Sequence, residues 1–180
     1  MRFGLIGCGW IVERDHIPAM LQSERVDIVA VADVSPERAR LAGRIAGLPE
    51  SACLTDYRAL LDRSDVDIVS VASPPGTRLK IVRDAAAAGK HIVCEKPFAL
   101  SLADADEMIA ACEAADVTLG IYHNYLYYFE HRLASRLITE ARSATSWRRR
   151  SAASAPGRGS APSSSSPAGG SSRRSPAAAC

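Results

Sequence analysis

Five short, mostly apolar runs lie in the first two thirds of this chain. They occupy residues 2–7, 26–33, 66–73, 91–96 and 117–122. A strand that is apolar at nearly every position, rather than at alternate ones, is buried on both faces, as in a parallel sheet covered by helices. The runs therefore predict an α/β fold with a doubly wound parallel sheet of the Rossmann type.

The segments between the runs carry helix signals. Residues 36–46 begin with Pro36 and are followed by Gly47, a pair typical of helix starts and ends. Ser101 and Asp104 form an approximate capping box, with Asp in place of Glu. Further helices are predicted over residues 56–62, 77–88, 101–115 and 127–140. The alternation of strands and helices supports right-handed crossovers in one sheet.

The first strand leads into the turn GCGWIV at residues 7–12. Gly7 suits a tight turn, and Gly9 allows the backbone to approach a pyrophosphate, which the helix start at Trp10 and Ile11 would attract. Val12 is larger than the usual third residue of this pattern and should displace the helix from the strand. The pattern by itself fits a purely structural turn equally well.

Asp33 ends the second apolar run and lies about 20 residues beyond the turn, where a carboxylate can bind both ribose hydroxyls of a dinucleotide. A helix N-cap or a loop acid is the alternative interpretation, and the nearby glycine turn favours the ribose role. A carboxylate here also repels a 2′-phosphate, so NAD is the predicted cofactor. Arg38 keeps NADP possible.

The sequence CEKPF places Glu95, Lys96 and Pro97 at the end of the run 91–96. The chain also has HIPA at 16–19, SPP at 73–75, GKH at 89–91 and Asn-Tyr at 124–125. Together with the glycine turn, this combination resembles the Gfo/Idh/MocA oxidoreductases over residues 1–140. The resemblance implies a nicotinamide-dependent enzyme, homo-oligomeric at full length, that acts on a sugar, polyol or related hydroxy compound.

In that resemblance Lys96 is the catalytic lysine, which lies beside the nicotinamide and hydrogen-bonds the reacting hydroxyl or carbonyl. Glu95 would orient Lys96, and Pro97 would fix the turn. An ordinary lysine at a strand end is the alternative interpretation of Lys96. The cofactor site is also predicted to include Ser73, Pro74, Glu95, Lys96 and Pro97.

Substrate contacts are the part of the pattern from which this chain departs. Asn124, together with Lys96, is the predicted substrate contact. Arg78 stands where the family often has His, and Leu126 stands where it often has Arg. Histidines 16, 91 and 123 are interpreted as surface or supporting residues, with no metal site predicted.

The composition changes abruptly at Glu140. Residues 1–140 carry a net charge of −5, whereas residues 141–180 carry seven Arg and no acid. This second part holds 12 Ser, four Pro and four Gly, which predicts a disordered tail. The expected organisation is therefore a Rossmann domain over 1–122, a connecting segment over 123–140 and a tail over 141–180.

Two hypotheses explain this tail. A frameshift in GC-rich coding DNA would replace a second, substrate-binding domain, and the chain would be a truncated form with little or no turnover. A genuine basic tail on a non-catalytic NAD-binding module is the alternative, and its arginines could attract a nucleic acid. We favour the frameshift, because no aromatic or repeated pattern organises the charges. No nucleic-acid partner is predicted.

The five cysteines are scattered, without a Cys-x-x-Cys pair. This usage is typical of reduced thiols and predicts a cytoplasmic protein without disulfides or a cysteine metal site. No apolar run approaches the length that spans a bilayer, so no membrane partner is expected.

Overall fold

A parallel sheet of six strands organises the chain. The computed structural model describes residues 1–140. Its strands are β1 (Arg2–Ile6), β2 (Asp27–Ala32), β3 (Cys53–Leu54), β4 (Ile68–Val71), β5 (His91–Cys94) and β6 (Leu119–Ile121). All neighbouring pairs are parallel, in the order β3-β2-β1-β4-β5-β6. The prediction of a doubly wound Rossmann-type sheet is confirmed.

The helices lie close to the predicted segments. They are α1 (Ile17–Leu21), α2 (Pro36–Ile45), α3 (Tyr57–Leu61), α4 (Pro75–Ala87), α5 (Leu102–Ala114) and α6 (Phe129–Thr139). A π-helical segment precedes α1 at Val12–His16, and 3₁₀ turns lie at Glu50–Ala52 and Asn124–Tyr127. The sequence patterns predicted neither the π-helical segment nor the two-residue strand β3, since both are too short to produce a periodicity.

Side-chain caps fix where the helices start. The Ser101 side chain accepts a hydrogen bond from the Asp104 backbone N–H at 3.1 Å, as the capping pattern predicted. Ser35 caps α2 in the same way through the Arg38 N–H. Each cap satisfies one of the backbone donors that the first helical turn leaves without a partner.

Two buried apolar clusters hold the layers together. The larger joins β4 and β5 to α3, α4 and α5, with Leu60, Val69, Val82 and Met108 among its fully buried members. The smaller joins β1 and β2 to the π-helical segment and α2, with members Leu5, Cys8, Val12, Ile17, Val31 and Ala42. Two separate clusters are what a sheet covered on both faces requires.

Val12, the oversized third residue of the glycine turn, belongs to the smaller cluster and is fully buried. The π-helical segment begins at this residue. A π-helical turn is wider than an α-helical one, and the chain accommodates the larger side chain within it.

Contacts within the chain define a compact unit over Met1–Leu126, and a second unit begins at Tyr127. The described part of the second unit, residues 127–140, contains α6, on which Phe129 and Ile138 are exposed. No helix within residues 1–140 is both long and apolar enough to cross a bilayer. The predicted tail over 141–180 lies outside the described residues.

Candidate functional site

A cleft of about 840 Å³ opens where the carboxyl ends of β1, β2, β4 and β5 meet. This is the point at which the strand order reverses, and open α/β sheets bind ligands there. The residues predicted from the sequence that line it are Gly7, Gly9, Asp33, Ser73, Pro74, Lys96 and Pro97. They come from four strand ends, which the fold brings together.

Gly7 occupies a position that only glycine tolerates. Its φ is +90°, and its N–H donates to the Ala32 carbonyl at 2.8 Å. A Cβ at Gly7 would lie 2.8 Å from the Ala72 carbonyl carbon and the Ser73 nitrogen. Both atoms are backbone and cannot move aside, so the turn after β1 packs directly against the turn after β4.

The space beside the Gly9 Cα is open, whereas the space beside the Gly7 Cα is filled by backbone atoms. A Cβ at Gly9 would meet no protein atom within 4 Å. The Gly9 carbonyl accepts from Val12 N at 2.9 Å and Glu13 N at 3.2 Å, which starts the helical segment. A bare backbone beside a helix start, in a cleft, fits the pyrophosphate of a dinucleotide.

Asp33 lines the cleft and also holds two segments of backbone together. Its Oδ2 accepts from the Cys8 N–H at 2.7 Å, and its Oδ1 accepts from the Ser35 N–H at 2.9 Å. The carboxylate therefore ties the glycine turn to the start of α2. A carboxylate has about four acceptor positions, so two remain for the hydroxyls of a ribose.

Cys8, between the two glycines, is fully buried. Burial, reinforced by the neighbouring Asp33 carboxylate, raises the pKa of the Cys8 thiol from 9.0 to about 12. Above pH 9 the thiol ionises in the unfolded chain but stays protonated in the folded one, so rising pH favours unfolding.

We expect the free energy of unfolding to fall between pH 9 and pH 11 by about 1 kcal/mol per pH unit from this thiol. Cys8→Ser, whose hydroxyl does not titrate, should remove that part of the decline, whereas Cys53→Ser should keep it. Urea denaturation at pH 8, 9, 10 and 11 measures the difference. If the free energy of unfolding fell equally with pH in Cys8→Ser and in the parent, the prediction would be contradicted.

Glu95 fixes the backbone beside Lys96. The Glu95 side chain is buried; its Oε1 lies 2.9 Å from His16 Nε2, and its Oε2 accepts from the Lys96 N–H at 2.9 Å. His16, at the end of the π-helical segment, also packs against the Tyr122 ring with 4.5 Å between ring centroids. The two oxygens of Glu95 thus join the His16 ring to the Lys96 backbone.

Lys96 is exposed and lines the cleft, so its side chain has access to a bound ligand. The Lys96–Pro97 peptide bond is cis. Arg78 lies behind this loop with 4% of its surface exposed, and its guanidinium donates to the Ser73, Glu95 and Pro97 carbonyls. The loop that carries Lys96 is thus held from two sides, by His16 through Glu95 and by Arg78.

Four predicted site residues lie outside the cleft wall: Glu95, described above, and Trp10, Ile11 and Asn124. Trp10 is 64% exposed, with the Arg14 guanidinium 5.3 Å from its ring centroid. Ile11 packs against the smaller apolar cluster. Asn124 is exposed at the start of a 3₁₀ turn. Within residues 1–140, no group of three His, Cys, Asp or Glu side chains is arranged to hold a metal ion.

The sheet order, the positive-φ glycine and the acid at the end of β2 define an NAD-binding Rossmann domain. The family model described as "Oxidoreductase family, NAD-binding Rossmann fold" matches residues 1–123. The chain belongs to this family, the Gfo/Idh/MocA oxidoreductases, as its sequence signature predicted. NAD(P) is the cofactor of the family's Rossmann domain, which agrees with the cofactor prediction.

Similar proteins include a D-apiose dehydrogenase of Paraburkholderia graminis, 40% identical over 121 residues, which are 67% of this chain and 32% of that protein. A 3-ketoreductase of Actinomadura kijaniata, solved with TDP-benzene and NADP, is 30% identical with a TM-score of 0.69. An oxidoreductase of Agrobacterium radiobacter, solved with NAD+, L-tartaric acid and magnesium, is 28% identical with a TM-score of 0.73. This chain covers 42% and 40% of those two structures, which in turn cover 78% of it.

Proposed function

We propose that the protein from which this chain derives transfers a hydride between NAD(P) and a carbohydrate-like hydroxy compound. One observation carries the proposal: Lys96 lines the same cleft as Gly7, Gly9 and Asp33. A proton-transferring side chain and a dinucleotide cradle thus share one cavity. NAD(P), when bound, supplies the hydride chemistry.

The residues of the cleft have distinct tasks in this reaction. Gly9 and the helix start receive the pyrophosphate, and Asp33 accepts hydrogen bonds from the ribose. The Lys96 Nζ hydrogen-bonds the reacting oxygen and takes or returns its proton as the alcohol and carbonyl interconvert. Glu95 holds the Lys96 backbone, because its Oε2 accepts the Lys96 N–H.

Sugars and related compounds are the proposed substrate class. The relatives are similar over the Rossmann part and are named for D-apiose, 1,5-anhydro-D-fructose and dTDP-sugar substrates. We propose Asn124 as a substrate contact, and we place the protein in the cytoplasm, without a nucleic-acid or membrane partner. The proposed division of the chain at residues 122 and 140 keeps the dinucleotide site in the first domain.

For the 180-residue chain itself we propose weak dinucleotide binding without turnover. The cleft-lining residues are present, but the chain covers about two fifths or less of the relatives described above. A non-catalytic NAD-binding module is the second candidate, since the residues that line the cleft in the described part of the chain all lie at or before Pro97.

Titrating the purified chain with NADH, followed by nucleotide fluorescence, tests the proposal. We expect weak saturable binding and no change in absorbance when NAD and a panel of polyols are added. Lys96→Met should bind NADH as the parent does, since Asp33 and the glycines remain. No binding at millimolar NADH would contradict the cofactor site, and measurable turnover would contradict the inactive state. Tight binding by a monomer in size-exclusion chromatography would favour the second candidate.

A further inference from the structure

Arg78 is a buried cation in the wall of the cleft. It lies in the first turn of α4, directly after the Ser73-Pro74 loop, and only 4% of its surface is exposed. Its Nε donates to the Ser73 carbonyl at 2.9 Å, and its Nη1 donates to the Glu95 and Pro97 carbonyls. These last two carbonyls flank Lys96, so the guanidinium is fixed beside the proposed catalytic lysine.

No carboxylate in the described residues forms an ion pair with this guanidinium. Glu95, the acid nearest in the loop, directs its two oxygens to His16 Nε2 and the Lys96 N–H. The three groups that do bind Arg78 are neutral carbonyls. Buried charges in proteins are normally paired with an opposite charge, so an anion is the partner that this position lacks.

The Nη2 group of the Arg78 guanidinium remains available to such an anion. No residue within 1–140 accepts a hydrogen bond from Arg78 Nη2. Within that range, His16 Nδ1 is the one fully buried side-chain nitrogen or oxygen without a hydrogen-bond partner. Arg78 Nη2 also has no acceptor there, so it is not a fully buried atom and keeps some exposed surface. Arg78 is among the residues that line the cleft, so its side chain borders the space that a ligand would occupy.

The start of α4 adds to the positive electrostatic potential around Arg78. This helix has 13 residues and begins at Pro75, which has no N–H, so the Gly76 N–H is the first donor at the positive end of its dipole. We infer that Arg78 Nη2 and the start of α4 bind an anionic oxygen, of a phosphate or a carboxylate, on a ligand beside Lys96. The inference rests on the proposed function, because it describes the same cleft. The anion has two possible sources, the cofactor's phosphates or an acidic group on the substrate.

Arginine side-chain NMR of the unmodified 180-residue chain tests the inference without a mutation. The Arg78 Nε–Hε and Cζ signals are followed while inorganic pyrophosphate, gluconate or uncharged glucitol is added. We expect pyrophosphate or gluconate, whichever represents the true source, to shift Arg78 in a saturable way, while glucitol does not. Arg83, exposed on the same helix and paired with Glu107, is the internal control and should not shift. If no anion moves Arg78 more than Arg83, the inference is wrong.

Variants then measure the contribution of the charge. In Arg78→Gln, the loss of one charge-assisted hydrogen bond should weaken binding of the anion that shifts Arg78 about tenfold or more. Arg78→Lys, which keeps the charge, should weaken it less. Arg83→Gln should leave the affinity unchanged. Equal affinities for Arg78→Gln and the parent would overturn the inference. If Arg78→Gln fails to fold, the NMR result on the unmodified chain decides.

The two proposals fail in different ways. A chain that does not bind NAD but whose Arg78 signal responds to pyrophosphate or gluconate would refute the proposed function and support the anion site. A chain that binds NAD while the Arg78 signal is unaffected by NAD, pyrophosphate and gluconate would refute the anion site and support the cofactor site.

Discussion

Gly7→Ala should destabilise the folded chain by about 3 kcal/mol, and dinucleotide binding should be lost with it. Two effects add together: alanine disfavours the φ of +90° found here, and its Cβ would lie 2.8 Å from backbone atoms of Ala72 and Ser73. Relief of that clash would separate the turn after β1 from the turn after β4. Urea denaturation of the ligand-free chain gives the stability change, and NADH fluorescence gives the affinity.

Gly9→Ala is the matched control, with one methyl group added in the same turn. Its Cβ would meet no protein atom within 4 Å, so the stability of the ligand-free chain should change by less than about 0.5 kcal/mol. The methyl group would nevertheless stand where a pyrophosphate approaches the backbone, and NADH affinity should fall. A destabilised Gly9→Ala chain, or a Gly7→Ala chain as stable as the parent, would contradict this account of the turn.

Asp33→Asn should lower the affinity for NADH about tenfold or more, because a charged acceptor for the ribose hydroxyls is lost. The affinity for NADPH should fall less or rise, since the carboxylate no longer repels a 2′-phosphate and Arg38 lines the same cleft. The ratio of the two affinities therefore shifts towards NADPH. Parallel fluorescence titrations with the two nucleotides measure that ratio.

This substitution also acts on the protein itself. The carboxylate accepts from the Cys8 and Ser35 N–H groups, and asparagine keeps only one acceptor oxygen. We therefore expect some loss of stability, and the titrations belong at a temperature at which the chain is fully folded. Asp62→Asn, an exposed acid outside the cleft, should leave both affinities unchanged. An unchanged NADH-to-NADPH ratio in Asp33→Asn would contradict the ribose role.

The sheet and the glycine turn were predictable because their determinants are local. Mostly apolar runs without a strict alternation specify buried parallel strands, and Gly7 and Asp33 stand at the ends of two of them. The two interpretations of Asp33 were posed as alternatives from the sequence. In the structure Asp33 accepts hydrogen bonds from the Cys8 and Ser35 N–H groups and also lines the cleft. The two roles are compatible, because one carboxylate has several acceptor positions.

The contacts that His16 and Arg78 make with the Lys96 loop were not predictable, since they join distant parts of the chain. His16 meets Glu95 across 79 positions, and Arg78 reaches the Glu95 carbonyl across 17. The sequence marked Arg78 only as a departure from the family pattern. That departure was the one available sign of a cation in the wall, and its partners result from the packing of α4 against the strand ends.

Every residue that lines the cleft in the described part of the chain lies between Ile6 and Pro97. A ligand pocket encoded by one unbroken stretch can be inherited as a cassette. Recombination downstream of that stretch would exchange the distal sequence without altering the pocket walls. Substrate preferences could then diversify through the exchanged part while the ancestral pocket stayed constant, and a protein engineer could graft the same stretch onto new partners at the gene level.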